Sequence, residues 1–278
     1  SLFLVNTFIS KKGDFKLPKD TKFVVFGHSH SKCAFNDSVI SNLQNVSFGG
    51  ESYFYSFPKL KKVIDHNPDI EYVFIEFTNS QITKNVEEWM WGNKYLSYHY
   101  CIYSPYIKLR DKMFLFVHAP INYLKVIPIE IKYNASRIIK KEYNFNNYWG
   151  FTSVTGDLNT YLDSLNKGVE VVDMIEIDEY ISENHLQYLD KMIEYVESQN
   201  KTVILVRSPI HKDYEEYFLN ENAFQELVKQ RYSDITFLDF SNYYLPDSCY
   251  KDYRHLNYDG SLVFSKWFNN FISDSLIN

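Results

Sequence analysis

The run Phe23-Val-Val-Phe26 is short, apolar and half β-branched, and it is broken at once by Gly27-His28-Ser29. Four apolar residues ending in a glycine turn describe a strand covered on both faces, and such strands belong to parallel sheets. A hydroxyl two residues past the break stands at the carboxyl edge of that sheet, where α/β proteins build their sites. A serine held on such a turn, with the next backbone N–H groups facing the same point, suits nucleophilic catalysis.

The rest of the chain repeats the strand–helix alternation. Asn45 to Phe48 reads as a second strand closed by Gly49-Gly50, and Glu71 to Phe77 as a third with Thr78-Asn79 at its tip. Between them, Glu51 to His66 has helical spacing, and Asn36 to Leu43 reads as a short capped helix. The pattern resumes with a helix over Asp178 to Gln199 and a strand over Thr202 to Val206. A helix over Tyr214 to Tyr232, a strand over Ile235 to Asp239 and a closing helix over Tyr258 to Ile272 follow. The expected fold is therefore one three-layer α/β domain over residues 1–278, with a mostly parallel sheet of about five strands.

Between about 80 and 172 the alternation is lost, over a span too long for a simple connection. It carries Trp89, Trp91, Tyr95, Tyr98 and Tyr100, and a helix-like run around Ile127 to Lys141. We read it as a helical insertion that covers the sheet edge and forms one wall of the site. Flat aromatic faces there would suit sugar C–H groups. The bland alternative is that these rings only pack the insertion.

Composition narrows the functions. A net charge of -6 leaves no basic footprint, so nucleic acid is not expected as a partner. Cys33, Cys101 and Cys249 cannot all pair and have no Cys-x-x-Cys spacing, so neither a disulfide framework nor a zinc site is implied. Gly49-Gly50 lacks the rest of a nucleotide-binding fingerprint. The apolar stretch Leu2 to Ile9 precedes Lys11 and Lys12 and is too short to span a bilayer. It reads either as the tail of an anchor or signal segment, with membrane association through it, or as a strand or arm packed on the domain.

Near the other end, Asp252-Tyr-Arg-His255 places an acid three residues before a histidine. With Gly27-His28-Ser29 after the first strand, Gly50-Glu51-Ser52 after the second and Asn79 after the third, the chain resembles the SGNH (GDSL-like) hydrolase superfamily. His28 stands where that family has an acid, and Phe77 where it has a glycine, as in divergent members of the polysaccharide O-acetyltransferase and acetylesterase type. The resemblance implies a flavodoxin-like α/β/α fold, and catalysis by Ser29 as nucleophile, His255 as base and Asp252 as its orienting acid. It implies an oxyanion hole from the Ser29 and Gly50 N–H groups and the Asn79 amide, and no cofactor. The expected activity is a serine esterase or O-acyltransferase on acetyl groups of a cell-surface polysaccharide. Its partner would be an acetylated carbohydrate or other small acyl ester, met in the cell envelope if the N-terminus is an anchor and in the cytoplasm otherwise. The alternative is a non-catalytic binding or scaffold protein on the same fold.

Other polar residues have weaker roles. His28 and His30 have no carboxylate or cysteine at a ligand spacing beside them in the sequence, so no metal is expected and they are read as pocket-lining. His211 follows a strand end and either contacts substrate or is solvated. Arg254 either binds an anionic substrate group or pairs with Asp259. Trp89 and Trp91 are expected on the substrate side. Lys59, Lys61 and Lys62 read as a solvated helix face.

Overall fold

A computed structural model describes residues 2–167, 181–214 and 219–275. Five strands form one all-parallel sheet: β1 (Phe23–Phe26), β2 (Leu43–Asn45), β3 (Tyr72–Glu76), β4 (Thr202–Arg207) and β5 (Thr236–Asp239), in the order β2-β1-β3-β4-β5. Phe23 faces Leu43 on one side and Tyr72 on the other, Tyr72 pairs with Thr202, and Ile204 with Thr236. The order reverses at β1, so the crevice at its carboxyl end is where such a fold leaves room for a ligand.

Alternate residues of the strands feed two separate cores, which makes the molecule three-layered. Val24, Phe26, Val73, Ile75, Val203 and Leu205 pack with α3 (Tyr53–His66) and α7 (Glu183–Ser198). Phe23, Val25, Phe74, Ile204 and Val206 pack with α9 (Tyr258–Ser275), through Phe264, Phe268 and Ile272. The other helices longer than one and a half turns are α1 (Leu2–Lys12), α2 (Ser29–Ala34), α4 (Leu109–His118), α5 (Pro120–Lys140), α6 (Leu158–Asn166) and α8 (Glu221–Arg231).

The inserted segment is helical, and its core is continuous with the sheet's. Met90, Leu96, Tyr100, Ile102, Leu115 and Val126 belong to the same buried cluster as Val24 and Ile75. The N-terminal stretch, read either as the tail of an anchor or signal segment or as a strand or arm packed on the domain, is helix α1 lying on this insertion. Asn6 Nδ2 donates to Glu130 Oε1 at 2.8 Å, and Asn134 Nδ2 donates to Asn6 Oδ1 at 2.9 Å. No helix among the described residues is long and apolar enough to cross a membrane.

Two further expectations are corrected. The expected helix over Asn36 to Leu43 is a set of turns over residues 36–42 that leads into β2 at Leu43, because Asn36 Oδ1 accepts the Ser38 N–H and hydroxyl, and Asn42 sits at φ 58°. The helix of that crossover is α2, directly after the glycine turn. The ends of three expected elements, residues 168–172, 178–180 and 215–218, lie outside the described residues.

Lys59 is not on a solvated face: it is fully buried. Its Nζ forms an ion pair with Glu51 and donates to Val46 O at 2.7 Å, while Ser56 Oγ donates to Glu51 Oε2 at 2.7 Å. This pair anchors the segment that carries Gly49-Gly50 to α3. Removing one partner of such a pair strands a buried charge, at roughly 3–5 kcal/mol, whereas replacing both by apolar groups is often neutral. Lys59→Met should therefore lower unfolding free energy by about 3–5 kcal/mol in denaturant titrations. Lys59→Met with Glu51→Leu should recover most of that loss; a single variant as stable as the parent would refute this reading of the pair.

Candidate active site

The β1–α2 turn is built around a carboxylate from the neighbouring strand. Glu76, the last residue of β3, is wholly buried, and its Oε2 accepts the His28 N–H at 2.9 Å and the Ser31 N–H at 3.1 Å. Gly27 is required by this closeness: a Cβ there would lie 2.2 Å from Glu76 Oε2. Burial pushes the Glu76 carboxyl up, but His28 and the Ser31 donors outweigh it and hold it below its ordinary value. Sequence reasoning missed Glu76, which reads only as the end of an apolar strand.

On this turn, half-buried Ser29 lies with its Oγ 2.8 Å from His255 Nε2. His255 Nδ1 is 2.9 Å from Asp252 Oδ1 and 3.0 Å from Oδ2. Asp252 also closes its own loop, since Oδ1 accepts the backbone N–H groups of Arg254 at 2.8 Å and His255 at 2.9 Å. A backbone bond pins the same loop, with Lys251 N donating to His255 O at 2.9 Å. Burial raises the Asp252 carboxyl, and the His255 hydrogen bond and Arg254 more than offset this, leaving it below its ordinary value.

The second glycine stands at the same sheet edge. Val46 N donates to Val25 O and Phe48 N to Gly27 O, both at 2.9 Å, so the chain runs beside β1 up to Gly49-Gly50. Gly50 has φ 65°, and a Cβ there would meet Tyr95 Cε1 at 3.0 Å. Left-handed backbone and a ring across it both favour glycine.

Asn79 is engaged elsewhere, which corrects its expected place in an oxyanion hole. Its Nδ2 donates to Glu221 Oε2 at 2.8 Å and to Asn220 Oδ1 at 3.2 Å, and its Oδ1 accepts from Arg207. Both amide hydrogens are used, so none remains for an oxyanion. Arg207 is buried and also pairs with Glu221 and Asp239, tying the carboxyl ends of β3, β4 and β5 together.

The secondary candidates divide. His28 and His30 are buried at the site, with ring centroids 4.5 Å apart, and the His30 ring is 5.4 Å from that of His255. Burial first, then the charges of His28, His255 and Arg254, push His30 well below its ordinary value, so it is a neutral imidazole. Trp89 packs edge-on to His28 at 5.3 Å. Trp91 instead stacks on His118 at 4.7 Å, against α4, and is corrected to a packing residue. Tyr98 is exposed, Tyr95 is half-buried and Tyr100 is buried. His211 is neither solvated nor open to the site: it is buried, donates its N–H to Tyr253 O at 3.0 Å and lies 3.2 Å from Asp247 Oδ1 through Nε2. Arg254 is half-buried beside Asp252. The absence of a carboxylate beside His28 and His30 is also corrected, because β3 brings Glu76 to them: ligand atoms of the three lie within 4.8 Å of one another.

The model of an uncharacterised family matches residues 137–277, just over half of the 278 residues, and the chain belongs to that family. The matched part contains Asp252 and His255 but not Ser29 or Glu76. No curated protein matches the chain.

The lowered Asp252 carboxyl sets the direction of a pH effect. A carboxyl more acidic when folded adds stability above its unfolded value, about pH 4, and loses it as pH falls through the lower folded value. Asp252→Asn should thus be less stable than the parent at pH 6, with the gap narrowing by pH 3 in denaturant titrations. An equal gap at both pH values would contradict this linkage.

Proposed function

We propose that this protein is a serine-dependent esterase or O-acyltransferase of the SGNH type, acting on acetyl groups of a carbohydrate. The observation that carries the reading is the line of contacts from Ser29 Oγ to His255 Nε2 at 2.8 Å and from His255 Nδ1 to Asp252 at 2.9 Å. In this reading Ser29 Oγ attacks the ester carbonyl carbon as its proton passes to His255 Nε2. Asp252 fixes the imidazole tautomer and stabilises the imidazolium. The tetrahedral intermediate collapses, the carbon–oxygen bond to the alcohol breaks, and His255 returns the proton to the leaving oxygen. Water or a second hydroxyl then takes the acyl group from Ser29 by the reverse proton path. Backbone N–H groups of Ser29 and Gly50 are the remaining oxyanion donors, and each such donor is worth on the order of 3 kcal/mol of barrier.

A carbohydrate substrate is favoured by the half-buried aromatic edge, with Trp89 against His28 and Tyr95 across Gly50. Rings of that kind offer apolar faces and polar tips together. We place such a substrate in the cell envelope, in line with the resemblance to polysaccharide acetylation proteins.

Ser29→Ala should abolish labelling by a fluorophosphonate probe and lower kcat on an acetylated sugar by at least about 10³-fold. The parent should prefer acetyl over long-chain acyl esters. Labelling that survives the substitution would overturn the serine mechanism, and a long-chain preference would overturn the substrate class.

A further inference from the structure

We propose that His28 Nε2, His30 Nδ1 and Glu76 Oε1 bind a divalent transition-metal ion, zinc by the character of the donors, beside the β1–α2 turn. His28 Nε2 lies 3.0 Å and His30 Nδ1 3.6 Å from Glu76 Oε1. Two atoms held at 2.0–2.2 Å from a tetrahedral ion stand roughly 3.3–3.6 Å apart. The His30–Glu76 distance matches that spacing, the His28–Glu76 distance falls just below it, and all three ligand atoms lie within 4.8 Å of one another, within reach of one centre. Two imidazoles and one carboxylate, with a fourth position open, also make up many catalytic zinc sites.

The surroundings fit the same assignment. Glu76 Oε2 is fixed by the backbone N–H groups of His28 and Ser31, which turns Oε1 toward the two rings. Orientation of a ligating carboxylate by outer hydrogen bonds is what holds metal ligands in place. His28 Nδ1 lies 3.5 Å from Ser29 Oγ, on the side of the ring away from Glu76. All three side chains are at most 4% exposed, so the cluster is shielded from water. A single shared proton could bridge His28 to Glu76, but it joins two atoms, whereas three converge here. None of these distances depends on the hydrolase chemistry.

The test uses tag-free protein stripped with a chelator and then titrated with Zn²⁺ and, separately, Co²⁺, with metal content measured by mass spectrometry. One ion per chain is expected, with visible Co²⁺ absorption of a low-coordinate site. Glu76→Gln and His30→Gln should each weaken Zn²⁺ binding at least about 10-fold, the low end for loss of a metal-site contact. Ser29→Ala should still bind one ion. Circular dichroism identifies a variant that fails to fold, and the parent titration then decides alone. A folded parent that takes up neither ion, or binding unchanged in both ligand variants, would overturn the proposal. Binding that persists where fluorophosphonate labelling fails would sink the hydrolase reading and leave this one standing.

Discussion

Glu76 is the interaction on which the site depends. A carboxylate wholly out of water is tolerated only when its oxygens are met by donors or cations, and here the donors are backbone groups of the neighbouring crossover. The consequence runs outward from the sheet. Oε2 fixes the His28 and Ser31 N–H groups, which sets the path of the turn, requires glycine at 27 and fixes where Ser29 begins α2. The position of Ser29 is thus decided by a residue on another strand.

A second brace lies at the other side of the same sheet edge. Arg207 gathers Glu221, Asp239 and Asn79. Burial raises both carboxyls, but the guanidinium and its neighbours outweigh it and leave each below its ordinary value. Three strand ends and the start of α8 are joined in one network. Its physical effect is to remove Asn79 from the pool of free donors: both of its amide hydrogens are committed to the network.

The sheet was legible because parallel strands are written locally, as short apolar runs between turn residues, and all five starts fall within about two residues of the expected ones. Asp252 and His255 were legible because their contact is also local, across one Asx-type turn. Glu76 and Lys59 were not: each is a charged residue in an otherwise ordinary strand or helix, and its partner lies on another element. Asn36 to Leu43 has helical residue types, but the Asn36 side chain competes for the backbone N–H of Ser38 and wins the turn. Asn79 shows the limit of motif matching, since its identity fits the SGNH pattern the sequence resembles while its hydrogen bonds go to Glu221, Asn220 and Arg207.

The insertion and the β1–α2 turn are in direct contact. Trp89 lies on His28, and His28 meets Glu76, so a displacement of the inserted wall is felt at the turn that carries Ser29. Tyr95 lies across Gly50 in the same way, from the same segment. Both turns, Gly27-His28-Ser29 and Gly49-Gly50, therefore carry an aromatic ring from the insertion. The insertion's buried residues, in turn, share one core with β1 and β3. Close packing leaves little freedom for such a wall to move independently. The aromatic edge is better understood as a fixed boundary of the site than as a lid, and it shapes what reaches Ser29 by its form rather than by its motion.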